Sequence, residues 1–153
     1  MQLLCLGLNH KTAPLAVRER VAFGPEDTGE TVALIKTRLA SADAGGVTEA
    51  MILSTCNRTE IYCAAVDPKR AADSVLELIE ELKGVRTTDL QPHVYVYEQS
   101  EAARHVFRVV SGIDSMVLGE TQIVGQFKKA VATARDVKGL GLMLNHLFQD
   151  AFT

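Results

Sequence analysis

Four apolar runs of strand length, at residues 2–8, 47–54, 61–66 and 94–97, divide the chain. Helical-period segments fill the gap between the first and second runs and the gap between the third and fourth. Only a short polar stretch parts the second from the third. The resulting order β, α, β, β, α, β is that of the split βαβ, ferredoxin-like arrangement. It predicts an α+β fold: one antiparallel sheet with helices on one face, followed by additional helices.

Local signals place the helices. Pro14 opens a short helix after Thr12, read as its cap, and Gly24-Pro25-Glu26-Asp27 opens a second that carries Val32, Ile35 and Leu39 and should end near Gly45-Gly46. Asp67-Pro68 caps a third, with Val75, Leu76, Ile79 and Leu82 on one face and Gly84 closing it. Ser100 is the expected cap of a fourth, with Val106, Phe107, Val110 and Ile113. Ile123, Val124, Phe127, Val131 and Ala134 mark another. The unbroken run Ala50-Met51-Ile52-Leu53 reads as a central strand, covered on both faces.

With 153 residues, 47% of them hydrophobic and 23% charged, the chain has the size and composition of one folded domain and not of a disordered or low-complexity segment. A net charge of -3 excludes a global positive field for holding nucleic acid, so any RNA contact must be local. Lys128, Lys129, Arg135 and Lys138 give the last helical block a basic side, ordinarily a solvated face but available to a nucleic-acid backbone. No stretch approaches the ~20 apolar residues of a membrane helix, and no basic leader precedes the first strand, so a cytoplasmic protein is expected. Three cysteines without a CxxC pair fit a reducing compartment better than a disulfide scaffold. His10, His93 and His146 have no spacing relation to them that would make a metal site.

Chemistry concentrates in three places. Cys5 and Cys63 lie in apolar strand patterns as small buried hydrophobes. Cys56, in Thr55-Cys56-Asn57-Arg58, sits at a polar turn where a neighbouring cation would favour the nucleophilic thiolate; the plain alternative is an ordinary turn cysteine. His105 borders the core on its helix, either as a general base or as a boundary histidine bonded to a backbone carbonyl. The third is the segment from Ser111 to Gln122 with Gln126 one turn on, where Gln122 and Gln126 share a face and either serve a turn between helices or bind a polar ligand. Gly139-Leu140-Gly141 lacks the third glycine and the preceding strand of a dinucleotide fingerprint, and no Walker A loop is present.

Taken together, Gly7-Leu8-Asn9-His10-Lys11-Thr12-Ala13-Pro14, Ser54-Thr55-Cys56-Asn57-Arg58-Thr59-Glu60-Ile61-Tyr62, the run from His105 to Glu120, and Leu147-Phe148-Gln149 resemble glutamyl-tRNA reductase, from near residue 3 to the end. The resemblance covers that family's N-terminal catalytic domain. It implies that Cys56 attacks the ester linking glutamate to the tRNA ribose, and that NADPH reduces the resulting thioester to glutamate semialdehyde, the first step of tetrapyrrole synthesis by this route. A thioester accepts hydride more readily than an ester because sulfur conjugates weakly with the carbonyl.

The same resemblance makes His105 the functionally important histidine, assisting proton transfer. Thr55, Asn57, Arg58, Ser115, Glu120, Thr121, Gln122 and Gln126 match substrate-pocket positions, with Arg58 the charge partner of a glutamate carboxylate. Thr121 stands where many members carry proline. Residues 1–138 are then the catalytic domain and 139–153 the start of a long connecting helix, with the NADPH-binding and dimerisation domains absent. Glutamyl-tRNA, a homodimer of the full-length protein and a downstream glutamate semialdehyde aminomutase are the implied partners. The competing reading is a non-catalytic ferredoxin-like module that binds RNA or senses a small ligand, although only 5% of residues are aromatic and no RNP1-like run is present.

Overall fold

The computed structural model describes residues 1–113 and 122–153. Its strands are β1 (Gln2–Asn9), β2 (Val47–Ser54), β3 (Arg58–Ala65) and β4 (Tyr95–Glu98). The α-helices are α1 (Leu15–Val21), α2 (Pro25–Arg38), α3 (Pro68–Lys83), α4 (Thr87–Leu90), α5 (Ser100–Val110), α6 (Gln122–Asp136) and α7 (Leu142–Ala151). The strands form one antiparallel sheet in the order β2-β3-β1-β4, as a split βαβ requires.

Pairing register sorts the strand residues between two faces. Leu6, Leu8 and Ile61 look toward Val21 of α1, Ile79 of α3 and Leu90 of α4. Cys5, Tyr62 and Tyr97 share the opposite face, where the Tyr62 ring meets Phe127 of α6 and Phe148 of α7, each 5.8 Å between centroids. The helices that follow β4 thus cover the face that the βαβ crossovers leave bare. Asp67 Oδ1 accepts the Arg70 N–H at the start of α3, and Gly84 closes that helix at φ 70°, as the sequence predicts.

The structure corrects several local expectations. β2 is an edge strand, not a central one. Its apolar run is buried because other segments supply the missing neighbour: Val47 N donates to Leu39 O, and Ala50 N donates to Gly139 O. A Cβ at Gly139 would stand 2.6 Å from the Ala50 carbonyl oxygen, so only glycine allows this approach. α2 stops at Arg38, before a 3-10 turn at Ala42–Ala44. The α5 cap position is Gln99 instead of Ser100; its φ of 53° is held by Gln99 N donating to Leu3 O and Leu3 N donating to Gln99 Oε1. The face of α5 that packs inward is Ala102, His105, Val106 and Val109, leaving Phe107 and Ile113 exposed, and Leu82 of α3 is likewise exposed. Thr12 does not cap α1, whose cap position is Pro14; its Oγ1 accepts the Asn9 N–H instead.

The apolar C-terminal segment forms α7, which docks through Leu144, Leu147 and Phe148. Its first turn is held from across the domain. The buried Glu49 of β2 accepts the N–H groups of Gly141, Met143 and Leu144 at 2.6, 3.3 and 2.9 Å, satisfying three donors that a helix start leaves open.

Candidate functional site

The turn from β2 to β3 is organised by Thr55. Its N–H donates to Arg58 O, and its Oγ1 accepts the N–H groups of Asn57 and Arg58 at 3.1 and 3.2 Å. Cys56 is left at the tip, exposed, with its carbonyl bound by Arg18 Nη1 at 3.0 Å. The other two thiols are buried, and burial pushes Cys5 well up and Cys63 up to about 12. Of the three cysteines, the turn presents the one that solvent and a ligand can reach.

Facing the turn is the start of α6. Thr55, Cys56, Asn57 and Arg58 line one pocket with Gln122, Ile123 and Gln126. Six of the residues singled out from sequence are therefore brought together. Ser115, Glu120 and Thr121 lie outside the described residues. His105 is not among the residues lining this pocket.

His105 belongs to a buried cluster beneath it. Arg58 starts β3, and its guanidinium turns inward, 2% exposed, so that Nη1 donates to Glu60 Oε2 at 3.3 Å. The same carboxylate receives Tyr62 OH at 2.7 Å and Tyr95 OH at 2.5 Å, and His105 Nε2 meets Oε2. Gly7 makes this convergence possible: it pairs with both Glu60 and Tyr95, and a Cβ there would lie 2.8 Å from Glu60 Cγ. The rings of Tyr95 and Tyr97 flank His105, with centroids at 5.2 and 4.8 Å. The expected backbone-carbonyl partner of His105 is thus replaced by a carboxylate. Arg58, expected as the cation beside the thiol, is committed at Nη1 to Glu60 while still lining the pocket.

Electrostatics follow from burial. Desolvation alone would raise Glu60, but the hydrogen bond and charge of His105, with the Arg58 charge, outweigh it and hold the carboxyl below its ordinary range. Burial first, with the Glu60 charge and hydrogen bond, pushes the Tyr62 and Tyr95 hydroxyls upward, so both remain donors. Cys5, Glu60 and His105 place their ligand atoms within 4.8 Å of one another. A dication there would displace donors from a carboxylate already serving four groups, one of them a guanidinium. The cluster is a hydrogen-bonded hub. Glu60 itself was not singled out from sequence; it stands at the head of the apolar run Ile61-Tyr62-Cys63-Ala64, two residues from Arg58 and from Tyr62, a spacing that places all three on one strand face.

Comparison with known proteins bears on this arrangement. The family model described as Glutamyl-tRNAGlu reductase, N-terminal domain, matches residues 6–153. The chain belongs to this family. Among solved structures, the glutamyl-tRNA reductase from Methanopyrus kandleri is similar, with TM-score 0.74 and 31% identity over 97% of this chain and 32% of that one. The chain therefore spans about a third of that relative's length. The match begins at Leu6, one residue before Gly7, and takes in the Cys56 turn, the Glu60 hub and α6.

A glutamyl-tRNA reductase implies NADPH, and the described residues do not fit it. The one Gly-x-Gly, at 139–141, is spent on closing the sheet: Gly139 abuts Ala50 and Val32, and Gly141 N donates to Glu49. No pyrophosphate can approach that backbone. No helix of the described residues is long and apolar enough to cross a membrane.

Proposed function

We propose that this chain carries the acyl-transfer site of a glutamyl-tRNA reductase. The observation that carries the reading is the position of Cys56: an exposed thiol on a turn ordered by Thr55, opening on a pocket of amide, hydroxyl and guanidinium groups. In this reading the Cys56 thiol ionises and its thiolate attacks the ester carbonyl of glutamyl-tRNA; the acyl carbon–oxygen bond to the ribose breaks, and the leaving ribose oxygen takes up, through solvent, the proton that the thiol gave up. A glutamyl thioester remains on Sγ. Asn57, Gln122 and Gln126 supply hydrogen bonds to the glutamate, and Arg58 brings positive charge to the pocket wall for its carboxylate. His105 reaches this pocket through Glu60 and Arg58, and we assign it to holding Arg58 in place. We keep Ser115, Glu120 and Thr121 as substrate-binding residues on the strength of the family motif alone.

The chain's own contribution ends at the thioester. We assign NADPH binding, hydride transfer to give glutamate semialdehyde, homodimer formation and contact with a downstream aminomutase to the length of the relative that this chain does not span. We assign a cytoplasmic setting on the sequence, whose three cysteines without a CxxC pair suit a reducing compartment.

The test is an acid-quenched single-turnover reaction with glutamyl-tRNA labelled in the glutamate, without NADPH, beside Cys56→Ser. A labelled protein adduct, or deacylation lost in Cys56→Ser, is the expected outcome. Equal inertness of both proteins, each folded and still binding the substrate, would leave a recognition module and overturn the acyl-transfer reading.

A further inference from the structure

The basic side of the last helical block does not survive as a uniform face. Lys128 lies over the Phe152 ring at 5.5 Å, and Arg135 Nη2 donates to Asn145 Oδ1 at 3.1 Å. Lys129 makes no ion pair among the described residues and instead lines a cavity of about 200 Å³ between α2, β2 and α6. The cavity is lined by Phe23, Pro25 and Leu53 on its apolar side and by Thr28, Lys129 and Thr133 on its polar side. Gln126 lines both this cavity and the Cys56 pocket. Gln122, Gln126, Lys129 and Thr133 are spaced as one stripe of α6, which at 1.5 Å per residue runs about 16 Å from the pocket to the far end of the cavity.

We infer that this cavity is the subsite for the 3′-terminal nucleotide of the RNA that leaves when Cys56 is acylated. The inference rests on the proposed reading of Cys56 and adds where the leaving group lies. An ester carbonyl at Cys56 places its ribose within one nucleotide of the sulfur, and the second cavity adjoins the pocket through Gln126. Its chemistry suits a nucleoside: an apolar wall for the base, hydroxyls and an amide for ribose, and one lysine for a phosphate. Lys128 and Arg135, held elsewhere, do not share that task.

The experiment is equilibrium binding of an uncharged acceptor-stem RNA hairpin with a single-stranded CCA 3′ end, against the same hairpin without the overhang. Wild type should gain about tenfold in affinity from the overhang, and the gain should vanish in Lys129→Gln and in Thr133→Tyr, both surface changes on α6. For Lys129→Gln the salt dependence should fall by about one phosphate contact. Cys56→Ser should keep the full gain, since binding precedes chemistry. An overhang that adds nothing, or a gain that persists in both variants, overturns the subsite. So does equal weakening of both hairpins, which marks Lys129 as a general backbone contact. If Cys56→Ser acylates like wild type while the gain depends on Lys129, the nucleotide subsite stands and the thiol reading falls.

Discussion

The Glu60 carboxylate and the His105 imidazole, forty-five residues apart in sequence, meet in the interior between β3 and α5. Arg58, Tyr62 and Tyr95 converge on the same carboxylate, so one buried anion joins the strand that begins at the reactive turn, the edge strand β4 and the helix behind them. Arg58 Nη1 is bound to that anion, which so supports one wall of the Cys56 pocket.

Replacing Glu60 by glutamine keeps the shape and removes the charge. His105 is then left facing a neutral group in a site without solvent, and the loss should be about 3–5 kcal/mol of stability. Urea denaturation of wild type and Glu60→Gln measures it. A variant within 1 kcal/mol of wild type, on the scale of an exposed pair, would show that the hub contributes little.

The pH dependence has a definite sign. Glu60 titrates below its ordinary range in the folded protein, so its contribution is fully present above the unfolded carboxylate value of about 4.3 and is lost as pH falls through the lower folded value. The stability gap between wild type and Glu60→Gln should be flat from neutral pH down to about 5 and narrow below about 4. A gap that instead narrows between pH 6 and 8 would point to a different titrating group.

Thiol chemistry should separate the three cysteines. In the native protein iodoacetamide should modify Cys56 alone, because Cys5 and Cys63 are buried and their thiols are pushed upward by burial. Intact-mass spectrometry should show one adduct on wild type, none on Cys56→Ser, and modification of every cysteine only after denaturation. Native labelling of Cys63 would contradict the buried position of β3.

Glu49 anchors α7 from β2, and Glu49→Ala removes the acceptor for three helix-start N–H groups. The cost should be about 1–2 kcal/mol, the scale of a lost helix cap. Amide hydrogen exchange should quicken at Gly141, Met143 and Leu144 before it does in β1 or β3. Unchanged protection at those three amides would mean that the packing of Phe148 alone holds the helix.

Much of this architecture was legible in the residue pattern because alternating periods of two and 3.6 mark strands and helices whatever packs on them. The Pro25 and Asp67-Pro68 helix starts and the Gly84 stop are local events, and they stand where local chemistry puts them; β3 instead begins at Arg58, three residues before the apolar run, because the polar Arg58 and Glu60 are buried against each other. The position of β2 at the sheet edge was not legible, because its burial is supplied by Gly139, far along the chain. The inward face of α5 was misplaced for a related reason: a histidine counts as polar in any periodicity, yet His105 is buried because Glu60 waits for it. In the site, the turn residues and the two glutamines of α6 were found by their polar clustering and motif. Arg18 was not, nor was Glu60, whose decisive partners Tyr95 and His105 come from other elements far along the chain.

The contact of Gly139 with β2 has a consequence for the life of the protein among other proteins. An open sheet edge is a template on which a second extended chain can add itself, and it is a common beginning of aggregation. Along β2 the amides of Val47 and Ala50 are already taken by Leu39 and Gly139 of the same chain. At the opposite edge β4 offers only four residues, Tyr95–Glu98. The domain thus covers the first half of its β2 edge with its own backbone, and a substitution that lifts the 138–141 segment away from Ala50 would bare those amides to a second chain.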